Sequence, residues 1–340
     1  MAVPRLAGIM SEALRRRGVS PDHAGYVVDG LLLASLRGID THGVRLFPTY
    51  LAELDGGRSV ARPRLRWRGR KSASRVLDAG RALGLVAGRV AVDEAVRLAR
   101  DHGVGVVAVA NSNHFGAASC YTLEMARRNM VGLAFSNSDA LVAPHHGRRP
   151  FFGTNPLSVA VRGKGDELFC ADLATSQVSY SRVKHRLRQS LPLEPGWAVA
   201  PAGEDAAELP AGAPIAALKP LGGHKGQCLG MAVEILCSLL TGMPLDHELA
   251  HLFSPPFDEP RRVSHLFIAL EIAAFTGPAA FRSRLSQWLG AVRRQQALGA
   301  ERVLVPGDLE AASARRRARS IPLADDDWLA LTAIERRLGR

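Results

Sequence analysis

The amino-acid sequence predicts an α/β fold, in which helices and strands alternate along a chain of 340 residues. Apolar runs of strand length, such as VGVVAVA at 104–110, alternate with longer segments whose apolar residues recur at helical spacing. Polar clusters at 111–114, 136–139 and 153–156 lie where strands should end. Because a rigid α/β scaffold often presents functional residues at strand ends, the sequence indicates an enzyme.

The first half of the chain opens with two predicted helices. Residues 4–17 have apolar residues at helical spacing, and 20–36 begins with Ser20 and Pro21, a pair typical of a helix start. Residues 47–70 are predicted to be irregular or weakly extended. The pattern then predicts a helix, a buried strand, a helix and a strand, at 83–101, 104–110, 117–129 and 131–136.

The second half is predicted to open with a strand pair at 156–161 and 167–173, joined by a Gly-Lys-Gly-Asp turn. Residues 186–215 are rich in Pro, Ala and Gly, and predict a long excursion. Residues 226–240 are almost wholly apolar, so we expect a deeply buried helix there. The remaining pattern predicts a strand, a helix, a strand and a helix, at 265–271, 278–293, 302–305 and 325–338.

The formal net charge is +12, and only five of the 44 basic residues are lysine. Arginine clusters at 15–17, 62–70 and 315–319 could attract phosphates, but only one aromatic residue is interleaved and no nucleic-acid motif accompanies them. The pattern therefore favours solvated faces over nucleic acid binding. A small-molecule substrate is the predicted partner.

Several common sequence features are missing, and this narrows the class of protein. No apolar run approaches the ~20 residues of a membrane span, and the first residues lack a signal-peptide pattern. The four cysteines lie in apolar contexts without CxxC spacing, which predicts reduced core residues in a cytoplasmic protein. His145 and His146 are adjacent, but no third ligand has a recognisable spacing, so no metal site is predicted.

One glycine motif matches the fingerprint of a standard dinucleotide-binding loop, but its position in the chain does not. Residues 103–108, GVGVVA, match G-x-G-x-x-A. That fingerprint must follow a strand and open a helix, whereas here a predicted helix precedes it and a strand follows. We therefore expect the glycines to end the helix at 83–101, and we predict no Rossmann loop.

A second glycine cluster, GGHKG at 222–226, immediately precedes the apolar helix. Unpaired N–H groups at a helix start, together with Lys225, would form an anion cradle. A tight turn with an exposed lysine is the alternative interpretation.

A third cluster, GIDTHGVR at 38–45, places His42 beside a hydroxyl and near an arginine. Neutral imidazole could exchange a proton with a substrate hydroxyl, and Arg45 could bind a carboxylate. Ordinary capping chemistry around Thr41 is the alternative.

Five motifs together resemble a known family: GIDTHGV, NSNHFGA, GTNP, DLATS and LGGHKG, at 38–44, 111–117, 153–156, 172–176 and 221–226. Motifs similar to these recur in this order in the malate/L-lactate dehydrogenase family, which lacks a Rossmann fold. That family includes L-sulfolactate and ureidoglycolate dehydrogenases and Δ1-piperideine-2-carboxylate reductases. The resemblance implies an L-sulfolactate dehydrogenase-like α/β fold. It also implies a helical part (1–75 with 285–340), a mixed-sheet cofactor-binding domain (76–284) and a homodimer.

The resemblance also implies site residues. His42, assisted by Thr41, would be the proton donor and acceptor, with His114 as the alternative catalytic residue, and Arg45 and Thr154 would lie near the substrate. The residues that would hold NAD or NADP are His114, Phe115, Gly116, Ala117, Ala118, Asp172, Leu173, Ala174, His224 and Lys225.

The implied function is an NAD(P)-dependent oxidoreductase that moves hydride between nicotinamide and the carbon next to a carboxylate or carbonyl. Reduction of the C=N bond of a cyclic imino acid is one alternative, and a catalytically degenerate binding protein on the same scaffold is another.

The chain departs from the family pattern at three places. Leu46 stands where the family has arginine, and Arg182 stands where some reductases have aspartate. The segment at 199–214 differs from the acidic, threonine-rich segment that the family usually has there. These differences suggest either a substrate that is unusual for the family or reduced activity on the family's simple 2-hydroxy acids.

Overall fold

The computed structural model describes residues 1–339, apart from the side chain of Arg70. Its α-helices are α1 (Val3–Arg16), α2 (Pro21–Leu36), α3 (Phe47–Gly56), α4 (Gly84–His102), α5 (Ser119–Arg127), α6 (Tyr180–Arg188), α7 (His224–Glu234), α8 (Pro278–Arg293), α9 (Asp308–Arg317) and α10 (Asp325–Arg337). Its strands are β1 (Arg66–Lys71), β2 (Ser74–Asp78), β3 (Val104–Ser112), β4 (Met130–Ser136), β5 (Leu157–Arg162), β6 (Leu168–Leu173), β7 (Ala198–Val199), β8 (Ala217–Leu218) and β9 (Val263–Glu271).

A mixed seven-stranded sheet forms the centre of the fold, in the order β1-β2-β3-β9-β4-β5-β6. Strands β2 and β3 are parallel, and every other neighbouring pair in this sheet is antiparallel. A Rossmann domain has a mostly parallel sheet instead. The predicted non-Rossmann α/β fold with a helical N-terminal part and a mixed sheet is confirmed.

Local chemistry explains where the helices begin and end. The Ser20 hydroxyl accepts a hydrogen bond from the His23 N–H at 3.3 Å, and proline follows in the first turn of α2, as predicted. Gly103 ends α4 with φ 79°, a left-handed conformation that glycine adopts without strain. A Cβ on Gly105 would lie 1.9 Å from the Ala95 carbonyl oxygen, so the second glycine lets β3 approach α4. The GVGVVA motif therefore serves packing.

The largest apolar core lies between the N-terminal helices, α4 and the sheet, and joins Leu6, Leu31, Val92, Val109 and Phe267. A smaller cluster covers another part of the sheet. Because the large core contains residues from both predicted parts of the chain, the division into 1–75 with 285–340 and 76–284 stays a prediction.

Two predictions are wrong, one of them in part. Of residues 47–70, predicted to be irregular or weakly extended, the first ten form α3, whereas the last five lie in β1 and fit the extended alternative. The second residue of α3 is proline, which fits a helix start because a first-turn N–H needs no intrahelical acceptor. Residues 302–305 form no strand. Among the described residues, one backbone bond joins this region to β6, from the Cys170 N–H to the carbonyl of Pro306, and one bond does not make a ladder.

The apolar segment at 226–240 is helical but is not deeply buried along its length. Helix α7 continues as a π-helical turn over Ile235–Leu239. Val233 and Cys237 are buried against the sheet, whereas Ile235 is 51% and Leu239 60% exposed. Cys228 on α7 is also exposed, so the prediction of four core cysteines is wrong for this residue. Among the described helices, none combines the length and apolarity needed to cross a membrane.

Candidate active site

A cleft of about 690 Å³ lies beside the end of β6, the edge strand of the sheet. Its walls come from segments distant in sequence: the turn after α2, the start of α5, the end of β6, and the segment that opens α9. This volume is within the usual range of ligand sites, ~300–1,000 Å³. The lining is mostly apolar with a few polar groups, which is typical of a cofactor pocket.

The structure brings most of the predicted site residues together in this cleft. The predicted residues that line it are Thr41, His42, His114, Gly116, Ala117, Ala118, Thr154, Asp172, Leu173 and Ala174. Phe115 lies behind the wall, 2% exposed, and its ring stacks on His265 with centroids 4.6 Å apart. Its place in the structure is a support for the neighbouring loop.

Besides Phe115, three predicted residues lie outside the lining. Arg45 is exposed on the turn that follows His42. His224 and Lys225 are exposed at the start of α7, where the His224 ring lies 6.0 Å from that of His145. Among the described residues, no group of three or more His, Cys, Asp or Glu is arranged to hold a metal ion.

Two histidines form the polar centre of the cleft. The rings of His42 and His114 stack with centroids 5.6 Å apart and an interplanar angle of 24°. The Thr41 hydroxyl oxygen lies 2.8 Å from His42 Nδ1. The Tyr50 hydroxyl lies 2.8 Å from His114 Nδ1. Each ring therefore has a hydroxyl partner on one nitrogen and keeps the other nitrogen for further contacts.

Burial lowers the pKa of both histidines. For His42, the charge of Asp172 opposes this effect and the charge of Arg45 adds to it. For His114, the proximity of His42 and the charge of Arg261 lower the pKa further. Both rings are therefore neutral at pH 7, the form in which an imidazole can accept a proton.

The hydrogen-bond partners give the two rings different roles. The backbone N–H of Gly116 donates to His114 Nδ1 at 3.4 Å, and burial raises the pKa of Tyr50, so its hydroxyl stays protonated and can donate to the same atom. Two donors on Nδ1 place the proton of His114 on Nε2. The Thr41 hydroxyl can donate or accept, so His42 can carry its proton on either nitrogen.

The turn that carries Thr41 and His42 is held from α9. Arg317 donates two hydrogen bonds to the Asp40 carboxylate, at 2.6 and 3.0 Å, and a third to the Ser35 carbonyl at 2.7 Å. Arg317 belongs to one of the arginine clusters, so part of that cluster has a structural partner. A bidentate arginine pair fixes orientation as well as position.

Buried polar contacts also hold the opposite wall. The Asp246 carboxylate accepts hydrogen bonds from Gly153 N–H at 2.8 Å and from the Asn155 side chain at 2.7 Å. These contacts fix the loop that carries Thr154 into the cleft. Burial raises the pKa of Asp246 to about 7, and the nearby Glu234 contributes. At the end of β6, Asp172 accepts from Ser119 N–H at 2.8 Å, at the start of α5.

Sequence reasoning missed several residues that line the cleft or support residues that line it. Tyr50 was missed because it lies on α3, in the segment predicted to be irregular. Asp139 also lines the cleft, and it forms a buried ion pair with Arg261, which is 2% exposed. Arg37 lines the cleft and is 7% exposed. Arg37 could have been predicted from the sequence, because it directly precedes the GIDTHGV motif.

The residues present fit a dinucleotide. The cleft combines a long apolar wall, a neutral histidine pair and one buried arginine whose Nε has no hydrogen-bond partner among the described residues. Such an orphaned donor in a ligand-sized cleft points to an anionic ligand. Fold and site together define a nicotinamide-type oxidoreductase built without a Rossmann loop.

Comparison with known proteins agrees with this class. Residues 1–332 match the model of the malate/L-lactate dehydrogenase family. The chain is 32% identical to the (2R)-3-sulfolactate dehydrogenase (NADP(+)) of Chromohalobacter salexigens, over 92% of this chain and 91% of that protein. It is 29% identical to the ureidoglycolate dehydrogenase (NAD(+)) of Escherichia coli K12, over 94% and 90% of the two chains.

Solved structures show the same fold. The sulfolactate dehydrogenase of Methanocaldococcus jannaschii superposes with a TM-score of 0.93 at 27% identity, over 100% of this chain and 97% of that chain. The Δ1-piperideine-2-carboxylate reductase of Pseudomonas syringae pv. tomato superposes with a TM-score of 0.82 at 26% identity, over 98% and 99%. The chain belongs to the malate/L-lactate dehydrogenase family. The predicted class, an NAD(P)-dependent oxidoreductase, is confirmed.

Proposed function

We propose that this protein interconverts a 2-hydroxy acid and the corresponding 2-oxo acid, with NAD or NADP as the hydride carrier. The observation that carries the proposal is the stacked histidine pair, His42 with Thr41 and His114 with Tyr50, in a cleft large enough for cofactor and substrate together. When bound, the nicotinamide ring accepts or supplies the hydride.

His42 is the proposed acid/base. In the oxidation direction, its neutral imidazole takes the proton of the substrate hydroxyl, and the carbon that carries this hydroxyl loses hydride. In reduction, His42 returns that proton. The Thr41 hydroxyl can donate to or accept from Nδ1, so it supports both protonation states of the ring. His114, fixed with its proton on Nε2, serves as a hydrogen-bond donor that polarises a carbonyl oxygen.

The remaining predicted residues complete the proposed site. Thr154, which lines the cleft, lies near the substrate. Arg45 is close enough to lower the pKa of His42, and from its exposed position it attracts the substrate carboxylate toward the cleft mouth. The proposed cofactor wall consists of His114, Gly116, Ala117, Ala118, Asp172, Leu173 and Ala174. Phe115 supports this wall from behind, and His224 and Lys225 are an outlying anion contact.

We also propose that the protein is a cytoplasmic homodimer. All four cysteines are free, which suits a reducing compartment. The apolar face of α7 and the following π-turn is large and exposed in the single chain, and a second copy would cover it. Its exposed residues are Leu229, Met231, Ile235, Leu239 and Leu240.

The proposal is tested by screening 2-oxo acids and cyclic imino acids against NADH and NADPH, with cofactor oxidation as the readout. Turnover of a 2-oxo acid is expected. Turnover of cyclic imines alone would replace the proposed substrate class by the C=N reductase activity. Binding of either cofactor without any turnover would favour the degenerate binding protein.

A further inference from the structure

Among the described residues, Arg37 is a buried cation whose side chain has no hydrogen-bond or ion-pair partner. It caps the C-terminus of α2, lines the cleft, and is only 7% exposed. Its Nε is fully buried with no hydrogen-bond partner, and no carboxylate lies within 4.0 Å of its guanidinium among the described residues. Leaving such a group unpaired costs free energy unless a ligand completes it.

The contacts of α9 locate Arg37 within the cleft. At the end of α9, Arg317 bonds to Asp40, in the turn that carries His42. About one turn earlier in the helix, Ser313 packs against Gly38, the residue after Arg37. The chain at Arg37 and Gly38 therefore lies closer to the start of α9 than Asp40 does.

The start of α9 forms the wall at this end. The residues just before the helix line the cleft, and Gly307 precedes it with φ 101°. A Cβ on Gly38 would lie 2.9 Å from the Ser313 hydroxyl, so the residue after Arg37 packs directly on α9. Asp308 in the first turn is already paired with Arg293 at 2.8 Å. Glu310 lines the same end, and no ion pair within 4.0 Å joins it to Arg37 in the described chain.

The chemistry of the proposed reaction then selects the ligand group. A 2-hydroxy acid has its carboxylate one bond from the reacting carbon, so that carboxylate must lie beside His42. The phosphates of a dinucleotide lie several bonds from the nicotinamide, which suits a site displaced from His42 toward the start of α9. A guanidinium matches phosphate oxygens in bidentate geometry.

We propose that Arg37 binds a phosphate group of the dinucleotide cofactor, and so anchors the cofactor at the α9 end of the cleft. This inference rests on the proposed function. It adds a cofactor-binding residue on α2, outside every segment that the sequence motifs assign to the cofactor. The phosphate is either the pyrophosphate, common to both cofactors, or the 2′-phosphate of NADP.

The first test compares Arg37→Gln, Arg37→Lys and a control, Arg100→Gln, which removes an exposed arginine at the last turn of α4. Dissociation constants for NADH and NADPH are measured by quenching of tryptophan fluorescence, and KM for a 2-oxo acid is measured at saturating cofactor. Arg37→Gln should raise the cofactor Kd by about tenfold or more, Arg37→Lys by less, and the control should match the unmodified protein.

The pattern of loss identifies the source of the phosphate. An equal loss for both cofactors assigns the pyrophosphate, and a loss confined to NADPH assigns the 2′-phosphate. An unchanged cofactor Kd overturns the proposal, whether or not KM for the acid rises. Failure of the unmodified protein to bind either cofactor would instead refute the proposed function.

A second test needs no variant, and can overturn the proposal even if Arg37→Gln fails to fold. ADP-ribose, 2′-phospho-ADP-ribose and adenosine compete with NADH for the unmodified protein. At least one phosphorylated competitor should bind more than tenfold tighter than adenosine, and this difference should shrink at high salt. Equal binding of all three would overturn a phosphate anchor.

Discussion

The two cleft histidines carry the same side chain but differ in the group that contacts Nδ1. His114 accepts from Tyr50 and from a backbone N–H, so one tautomer is fixed. His42 Nδ1 contacts the Thr41 hydroxyl, which can either donate a hydrogen bond to this nitrogen or accept one from it. At the scale of single residues, this difference is the reason to assign proton exchange to His42.

Exchange of each histidine for alanine tests this assignment. His42→Ala should lower kcat by about 10²–10⁴-fold, because a positioned acid/base is lost, and should leave cofactor affinity unchanged. His114→Ala should weaken cofactor binding and lower kcat less. The measurements are steady-state kinetics and cofactor titration. If only His114→Ala abolishes turnover while cofactor affinity is intact, the roles are reversed.

The Thr41 hydroxyl has its own test, with a matched control. Thr41→Val keeps the shape but removes the bond to His42 Nδ1, and should lower kcat about tenfold at unchanged KM, the equivalent of one hydrogen bond. Thr41→Ser keeps the hydroxyl and should retain most of the activity. Equal losses for Val and Ser would show that packing, rather than the hydrogen bond, is what matters.

At the scale of elements, periodicity predicted what depends on local pattern. Helices α1, α2, α4, α5, α8 and α10 and strands β3, β4, β5, β6 and β9 lie close to their predicted bounds. The prediction of a strand at 302–305 failed because a strand needs a hydrogen-bonded partner. This segment passes β6 with one backbone bond, at Pro306. Helix α3 was missed because an arginine- and proline-rich continuation obscured its short helical pattern.

The motifs predicted most of the cleft, because each is a short segment that ends an element. They could not predict groups that reach the cleft from elsewhere. Tyr50 comes from α3, and the Arg261–Asp139 pair joins residues 122 positions apart. Asp246 acts through the loop at 153–155. Only the folded arrangement reveals these supporting contacts.

Asp246 gives a pH-dependent prediction for that loop. Its pKa in the folded protein is raised to about 7 from 3.8, so the folded state binds the extra proton between these values. Its contribution to stability is therefore lost as pH rises from about 4 to 7. Asp246→Asn, which cannot ionise, should become more stable relative to the unmodified protein over this range, by about 1–4 kcal/mol.

Denaturant unfolding of both proteins at several pH values measures this difference. Comparing the two proteins cancels the opposing contribution of buried histidines such as His265, whose pKa burial lowers to about 3. A difference in unfolding free energy that does not change between pH 4 and 8 would contradict the prediction.

At the scale of the whole molecule, the exposed apolar face of α7 suggests assembly. The apolar pattern of this segment predicted a buried helix, and a second copy of the chain would bury the residues that are exposed in one copy. Leu239→Glu should shift a homodimer to monomer in sedimentation experiments, because it would bury a charge in the interface. The control is Leu298→Glu, at a leucine that is 97% exposed and remote from α7 in the chain. A Leu239→Glu protein that stays dimeric would exclude this face as the interface.

In the proposed reaction, hydride passes between nicotinamide and the carbon next to a carboxylate. Reduced cofactor carrying deuterium at the transferable C4 position, incubated with the protein and a 2-oxo acid, tests this transfer by mass spectrometry of the product. We predict a 2-hydroxy acid labelled on the carbon beside its carboxylate, formed by the unmodified protein and lost in His42→Ala. An unlabelled product would refute direct hydride transfer, and label transfer at the full rate in His42→Ala would refute the role of His42 as acid/base.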